Sequence, residues 1–410
     1  MKSLFRILVA TCVLSHPVQA QQFAFEKPEY DDSAALSRSM RRLARQAIQE
    51  FQSADRDIHL NTLFRLQMAA GEYAAANATL AQLRELRHAA DPVYSPVEYT
   101  QYEIYSAAQL CQATMSEPAH DAIGRAFSAI YRRLDDKRAY RVASSFDFDL
   151  GTARDDFRGT LARLADNDSV SQSDAVTLLR KYFVYTVYEA LLPYTPALLQ
   201  EENARRYVID DSVLVRTRDG SAISAIVVRP RAPAGRHPAV LSFTIYAEAR
   251  NLGVAMQHAA NGYVGIVANT RGKRNSLAEV VPFEHDGDDA YDVIGWISRQ
   301  SWSNGKVGMF GGSYDGFTQW ASMKHGVHPA LKTIVPSVAV VPGFDTPVEN
   351  SIYQGFQYPW VAYVTNTRLL DDASYNDRNR WSALDSAWFA SGTAYRSLDS
   401  IDGKPNPIFQ

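Results

Sequence analysis

The feature that most limits how this chain can fold is an alternation of apolar strand-like segments with helix-like segments between residues 237 and 341. Strands that alternate with helices form a mostly parallel sheet through crossover connections. Nearly unbroken apolar strands are typical of a sheet that is covered on both faces. We therefore predict an α/β core, with strands at "HPAVLSFTIY", "YVGIVANTR", "KVGMFGG" and "LKTIVPSVAVV".

The regions that flank this alternation predict the domain organisation. From about Asp31 to Gln200 apolar residues recur at helical spacing and glycine is scarce, so residues 21–200 are predicted to form an all-helical domain. Two β-rich runs around the turn "RDG" place the start of the sheet near Asn203, which assigns residues 201–341 to the α/β core. After Pro342 the pattern is helical and rich in aromatic residues, with no further strand expected by Gln410.

One stretch of the helical region could belong to a repeat. Residues 63–87 carry an apolar stripe on two helices that are separated by Gly71, as in a tetratricopeptide-type helix pair. Repeat arrays need at least three units, and no second copy is found at a period of about 34 residues. A plain helical hairpin is therefore the favoured interpretation.

The N-terminus has the pattern of a secretory signal peptide. Lys2 and Arg6 precede an apolar run from Ile7 to Leu14, and the small-residue pattern "VQA" ends at Ala20. A membrane anchor is less well supported, because this run is far shorter than the roughly 20 residues of a spanning helix. We expect cleavage after Ala20 and a secreted or periplasmic location, with Cys111 as the one remaining thiol and hence no intramolecular disulfide.

The charge balance argues against a polyanionic partner. The chain has 42 Lys and Arg against 45 Asp and Glu, a formal net charge of −3, and its basic residues form no cluster with interleaved aromatic residues. We therefore expect no nucleic-acid binding. We also expect no membrane span, because no later apolar segment is long enough to cross a bilayer.

The segment "GKVGMFGGSYDGFTQW", residues 305–320, places a serine at a sharp corner between a strand and a helix. In a parallel sheet, ligands bind at the carboxyl ends of the strands, which is where Ser313 lies. Glycines at 311, 312 and 316 permit a strained turn that exposes the serine hydroxyl, and the Tyr314 N–H at the helix start is a natural oxyanion donor. The alternative is a serine that caps the helix, since serine is favoured at that position.

The pattern G-x-S-Y-x-G at Gly311–Gly316, together with "NTRGKRNS" and the run "FEHDGDDAYDVIGWISRQSWSNGKVGM", resembles the serine hydrolases of the cocaine esterase, X-prolyl dipeptidyl peptidase and α-amino acid ester hydrolase group. The resemblance covers roughly residues 205–410. It implies a partial α/β-hydrolase sheet, with residues 342–410 as the start of a helical cap. It also implies an acyl-enzyme on Ser313, a small ester, amide or short-peptide substrate, and no cofactor or metal.

The same resemblance gives the hydroxyl of Tyr246 the role of second oxyanion donor. From the residues alone, Tyr246 ends a strand at the same sheet edge as Ser313, and the alternative is a tyrosine packed under a loop with its hydroxyl in water. Asp286, Asp288, Asp289 and Asp292 are interpreted only as negative charges favoured by the first turns of a helix, with no chemical role.

The histidine base and its carboxylate partner are not apparent in the sequence. After Ser313 the chain has only His325 and His328, which come too early for the order Ser, acid, His of this fold. We expect both partners beyond residue 410 and negligible activity of the 410-residue chain alone. Two alternatives remain: a non-catalytic binding protein that uses the helical domain beside a degenerate hydrolase scaffold, and an acyltransferase that uses the same serine.

Overall fold

The computed structural model describes residues 22–25, 28, 30–164, 168–346, 348–350 and 352–404. The predicted signal peptide lies outside these residues. The chain divides into two compact units. The helical unit contains the described residues up to Arg133 together with Arg141–Leu198, and the sheet unit contains Leu134–Tyr140 and the described residues from Leu199 onward.

Helices make up most of the described chain between Ser33 and Arg206, and several begin at a side chain that satisfies an unpaired backbone N–H. Asp55 accepts hydrogen bonds from the N–H groups of residues 57 and 58, and Ser171 accepts one from residue 174. The helices are α1 (Ser33–Glu50), α2 (Arg56–Ala70), α3 (Tyr73–His88), α4 (Thr100–Met115), α5 (Ala119–Tyr131), α6 (Asp136–Ala143), α7 (Leu150–Arg163), α8 (Gln172–Leu191) and α9 (Thr195–Arg206), with 3₁₀ turns at Ser95–Val97 and Ser144–Phe146.

The hairpin of α2 and α3 forms where the sequence predicts it. Gly71 ends α2 with a φ of 80°, a left-handed conformation that glycine adopts without strain. Leu66 and Leu80, from the predicted apolar stripe, are buried in the core of the unit. The prediction of helices is therefore confirmed here.

A short strand pair departs from the all-helical prediction. Strand β1 (Gln22–Ala24) pairs antiparallel with β2 (Ser169–Ser171), and Phe23 is opposite Val170, both buried. Three residues are too few to show a period-two pattern, and the pairing joins segments far apart in the sequence, so local reasoning does not detect it.

The sheet unit contains a six-stranded mixed sheet. Its strands are β3 (Tyr207–Arg216), β4 (Ala222–Pro230), β5 (His237–Thr244), β6 (Val264–Asn269), β7 (Ser303–Gly312) and β8 (Leu331–Ser337), in the spatial order β3-β4-β6-β5-β7-β8. The first three pairings in that order comprise two antiparallel pairs, β3 with β4 and β4 with β6, followed by the parallel pair of β6 and β5. Strands β5, β7 and β8 continue in parallel, so the predicted α/β core is confirmed.

Helices cover both faces of this sheet. The crossover helices are α10 (Asn251–Ala260), α11 (Asp286–Ser298) and α12 (Tyr314–Ala321). Alternate residues of β4 point to opposite faces. Val227 lies in the buried cluster that includes Ile294 of α11, whereas Ile226 lies in the cluster that includes Met256 of α10. This sandwich fixes the carboxyl ends of β5 and β7, from which the site is built.

The chain beyond Pro342 is mainly helical, as predicted, but it also forms strands. A two-residue pair, β9 (Val348–Glu349) with β10 (Ile352–Tyr353), corrects the expectation that no further strand occurs. The helices that follow are α13 (Gln357–Thr365), α14 (Asp372–Tyr375), α15 (Arg378–Ser391) and α16 (Leu398–Asp402), with a 3₁₀ turn at Tyr395–Ser397. Tyr358, Trp381 and Leu398 share a buried cluster there. Among the helices described, none combines the length and the hydropathy that crossing a bilayer requires.

Candidate active site

Ser313 occupies a strained corner between the end of β7 and the start of α12. Its φ is 56° and its ψ is −121°, a combination that non-glycine residues rarely adopt. Its N–H donates to the carbonyl oxygen of Ser337 at 2.9 Å, which ties the corner to the end of β8. The Ser313 side chain makes no capping hydrogen bond to α12, so the alternative of a helix-capping serine is not supported.

Two glycines explain why the corner, residues 311–316, has its second glycine one position later than the common G-x-S-x-G pattern. A Cβ on Gly316 would lie 2.8 Å from the Cβ of Ala339, so α12 passes too close to the chain after β8 for any side chain. A Cβ on Gly311 would lie 2.4 Å from the Cβ of Asp315. Asp315 therefore occupies space that the missing side chain of Gly311 leaves open.

Tyr246 lies beside Ser313, as predicted, although β5 ends at Thr244 and the tyrosine follows in the loop. Its hydroxyl accepts a hydrogen bond from the indole Nε1 of Trp360 at 3.2 Å. Burial raises the pKa of Tyr246, while hydrogen bonds with Trp360 and with the Ser313 side chain act in the opposite direction. The hydroxyl therefore stays protonated at neutral pH and is available as a donor.

Tyr314 contributes its backbone and its side chain in different ways. As the first residue of α12, it has an N–H without an intrahelical acceptor at the positive end of the helix dipole. Its side chain is 1% exposed, and its hydroxyl donates to Asp286 Oδ2 at 2.6 Å while accepting from the Phe283 N–H at 2.8 Å. The Oδ1 atom of Asp286 accepts from the Thr270 hydroxyl at 2.5 Å.

Asp286 is the residue near the site that sequence reasoning missed. Burial raises the pKa of its carboxyl to about 6, against the opposing effect of its hydrogen bonds with Thr270 and Tyr314. In the sequence it is one of several acids at the start of a helix, and nothing local separates it from the partly exposed Asp288. The sequence offered only an indirect indication of Asp286. A tyrosine that directly follows the serine of such a corner is expected to be buried, and its hydroxyl then needs a hydrogen-bond partner.

A cavity of about 260 Å³ opens in front of Ser313. Tyr246 and Tyr314 line it, so the structure brings together all three residues predicted for the site. The other lining residues are aromatic, polar or acidic: Phe283, Val340, Asp345, Thr346, Glu349, Gln354, Phe356, Gln357 and Trp360.

Histidine is absent from the described residues that line this cavity. The Nε2 atom of His325 lies 3.6 Å from Oδ1 of Asp288. The Nδ1 atom of His328 accepts a hydrogen bond from the Ala330 N–H. Neither contributes to the cavity, as expected from the sequence. The described chain also contains no group of three or more His, Cys, Asp or Glu residues arranged to hold a metal ion.

Comparisons with known proteins give relatives for the C-terminal half of the chain. Residues 219–401 match the family described as X-Pro dipeptidyl-peptidase (S15 family). Cocaine esterase of Rhodococcus sp. (strain MB1 Bresler) is 37% identical over 139 residues, which are 32% of this chain and 24% of that protein.

Solved structures also match this chain, including the following two. One is an aminopeptidase from the marine sediment archaeon Thaumarchaeota archaeon, with 23% identity, a TM-score of 0.37, and coverage of 48% of this chain and 37% of the other. The second is a CocE/NonD family hydrolase from Staphylococcus aureus, with 22% identity, a TM-score of 0.35, and coverage of 47% and 39%. The chain therefore spans well under two thirds of the length of these relatives.

Proposed function

We propose that this protein is a serine hydrolase of esters or amides. The proposal starts from the match of residues 219–401 to the X-Pro dipeptidyl-peptidase (S15) family and from the similarity to cocaine esterase. The observation that carries the proposal is the strained backbone of Ser313, with a φ of 56°, at the mouth of a cavity that it shares with Tyr246. Strain of this kind persists where the surrounding structure enforces it, and it is concentrated at active sites.

The chemistry follows from these groups. The Oγ of Ser313 attacks the carbonyl carbon of the substrate, a C–O bond forms, and the carbonyl oxygen becomes an oxyanion. The Tyr314 N–H and the Tyr246 hydroxyl donate hydrogen bonds to that oxyanion. Collapse of the intermediate releases an alcohol or amine, and water then hydrolyses the acyl group from Ser313. In enzymes of this type a histidine takes the serine proton; the described residues supply the nucleophile and the oxyanion donors, and none is assigned as the base.

The cavity favours particular substrates. Its volume of about 260 Å³ suits a compact acyl group, and Phe283, Phe356 and Trp360 offer aromatic contacts to an apolar one. Asp345 and Glu349 add negative charge to the lining. An acyl group that is neutral or carries an amine should therefore bind better than an anionic one, which predicts a higher KM for a succinyl ester than for a butyryl ester.

The test uses the complete protein as its source expresses it. The hydrolysis rates of p-nitrophenyl acetate and of the matching anilide are measured alongside labelling by a fluorophosphonate, for the unmodified protein, Ser313→Ala and the control Ser322→Ala. Ser322 is buried and its hydroxyl donates to the Gln319 carbonyl, outside the cavity lining. Labelling and hydrolysis should disappear with Ser313→Ala and persist with Ser322→Ala.

The same experiment separates the alternatives. A binding protein on a degenerate scaffold gives no label on the folded, unmodified protein. An acyltransferase labels at Ser313 but transfers the acyl group to an added amine faster than to water. The proposed secreted or periplasmic location rests on the pattern of residues 1–20 and is tested by N-terminal sequencing of the mature protein, which should begin at Gln21.

A further inference from the structure

We propose that Asp286 is a positioning residue of the oxyanion hole: its buried carboxyl holds the ring of Tyr314, against which both oxyanion donors are arranged. The inference rests on the proposed function of Ser313. It deepens that function by naming a group outside the cavity that controls the geometry of the site. Asp286 is not among the described residues that line the cavity, and it acts through Tyr314.

Asp286 holds the Tyr314 side chain in a single orientation. Asp286 is fully buried, at the first residue of α11, and its two oxygens accept from the hydroxyls of Tyr314 and Thr270. The Tyr314 hydroxyl also accepts from the N–H of Phe283. The phenol is therefore held as a donor on one side and as an acceptor on the other, and this fixes the position of its oxygen.

These contacts are costly, so a merely structural explanation is less satisfactory. Among the described residues, the hydrogen-bond partners of Asp286 are neutral hydroxyls and a backbone N–H, whereas a buried carboxylate is normally compensated by a cation. Phe283, whose N–H completes the arrangement, has a φ of 69°, which is strained for a bulky residue. Burial without a counter-ion and local strain occur together at functional sites.

The Tyr314 ring is connected to both donors. The backbone N–H of Tyr314 is one donor and belongs to the same residue. The ring of Tyr246, the other donor, contacts the Tyr314 ring edge-on, with centroids 6.2 Å apart. Trp360, which donates to the Tyr246 hydroxyl, also contacts the Tyr314 ring, with centroids 6.1 Å apart. A displacement of this ring therefore moves the two donors together.

The size of the effect follows from the sensitivity of oxyanion stabilisation to geometry. Complete loss of one donor costs about 10²–10³-fold in turnover, and a misplacement of about 1 Å can cost on the order of 10²-fold. Loosening the Tyr314 ring without removing either donor should therefore lower kcat by about 10- to 100-fold. Substrate binding depends on the cavity walls, so KM should change by less than about threefold.

The experiment compares four variants of the complete protein with a p-nitrophenyl ester. Asp286→Ala removes the acceptor, Tyr314→Phe removes the donor and keeps the ring, and Asp286→Asn restores an acceptor oxygen. Asp288→Ala is the control, because Asp288 is on the same helix turn and its carboxylate pairs with Lys324 at the surface. We expect low kcat with nearly unchanged KM for the first two, most of kcat for Asp286→Asn, and full kcat for Asp288→Ala.

Thermal unfolding of each variant accompanies the kinetics. If Asp286→Ala does not fold, Tyr314→Phe decides the question. A folded Tyr314→Phe variant with unchanged kcat overturns the inference, and so does a variant that raises KM alone. In these cases the unmodified protein still hydrolyses the ester, so the proposed function stands. An unmodified protein that hydrolyses nothing and takes no label at Ser313 overturns the proposed function, and the inference with it.

Discussion

In the helical unit the ion pairs of Arg84 and Arg87 are partly exposed to solvent, whereas the sheet unit contains fully buried ionisable side chains. Arg87 pairs with Asp57, whose side chain is 41% exposed, and Arg84 pairs with a partly exposed glutamate. In the sheet unit Asp286 and Lys273 are fully buried, and the Lys273 ammonium donates to three backbone carbonyls of residues 364, 367 and 369. Burial lowers the pKa of Lys273 to about 8.

This difference in the burial of charged groups affects the stability of the two units differently. Removing a charged group from water is costly unless it gains ideal partners, and replacing such groups by apolar ones is often neutral or stabilising. The pairs Arg87–Asp57 and Arg84–Glu103 of the helical unit keep part of their hydration and therefore incur less of this cost. The sheet unit incurs this cost next to Tyr314 and Ser313, where the proposed catalysis needs a rigid polar arrangement.

The largest expected difference between the units comes from replacing one tyrosine by phenylalanine in each of them and comparing the effect on kcat. Tyr246→Phe removes the hydroxyl that we propose as an oxyanion donor, and it should lower kcat by about 10²–10³-fold. Tyr188→Phe removes a buried hydroxyl that donates to the Ser145 carbonyl in the helical unit, and it should cost about 1 kcal/mol of unfolding free energy without changing kcat. Ester hydrolysis and urea unfolding measure both. Equal effects on kcat would remove the functional distinction between the units.

The pH dependence of stability provides the next test. Burial raises the pKa of Asp315 to about 7, well above its value in an unfolded chain, so the native state holds this proton more tightly. The associated stability is fully present below about pH 4 and is lost as pH rises through about 7. Its size is on the order of 2 kcal/mol, after part of the shift is discounted for the water that reaches this half-buried residue.

Asp315→Asn should therefore flatten the fall in unfolding free energy between pH 5 and pH 8. The matched control in the helical unit is Asp174→Asn. Hydrogen bonds with Ser171 and Arg163 lower the pKa of Asp174, so its contribution is lost only at more acidic pH and the slope from pH 5 to pH 8 should not change. If Asp315→Asn leaves the pH dependence of the unfolding free energy unchanged, Asp315 does not titrate between pH 5 and pH 8.

A pair of glycine substitutions sharpens the contrast in packing. Gly316→Ala places a Cβ 2.8 Å from Ala339 and should cost about 1–3 kcal/mol through overpacking, with loss of Ser313 labelling. Gly124→Ala, within α5, meets nothing within 4 Å and should stabilise the helical unit by about 0.5–1 kcal/mol. Urea unfolding of both variants checks the two signs. A stabilised Gly316→Ala variant would mean that the corner is less tightly packed than the structure indicates.

The smallest expected effect concerns the exposed ion pairs. The hydrogen bond from Arg87 lowers the pKa of Asp57, so the stability from this pair is present above an ordinary aspartate pKa and is lost at more acidic pH. Because water reaches the pair, Asp57→Asn should cost only about 0.5–1 kcal/mol at pH 7, and less in 1 M salt. A loss of several kcal/mol of unfolding free energy, measured in urea, would show that this ion pair contributes as strongly as the buried groups of the sheet unit.

Local patterns in the sequence were enough to predict the elements that positioned the site. The apolar runs at β5, β6, β7 and β8 and the amphipathic runs between them reflect burial that each segment experiences by itself. Small residues around Ser313 predicted the strained corner, because few other sequences permit one. The structure confirmed the fold class, and residues 219–401 match the family that the sequence resembles.

The remaining features depend on contacts between distant segments. Strands β1 and β2 pair across more than 140 residues, and the indole of Trp360 reaches the Tyr246 hydroxyl from 114 residues away. Asp286 could not be separated from its acidic neighbours, because its difference from them arises only when Tyr314 packs above it. Interactions of this kind are set by tertiary packing and leave no periodic trace in the sequence.

The assignment of Ser313 as the nucleophile is tested by mass spectrometry of the complete protein, quenched within milliseconds of mixing with a p-nitrophenyl ester. We expect a transient increase in mass equal to the acyl group, carried by the peptide that contains Ser313 and absent from Ser313→Ala. Rapid ester hydrolysis with the acyl group on another residue, or undiminished turnover in Ser313→Ala, would contradict this assignment.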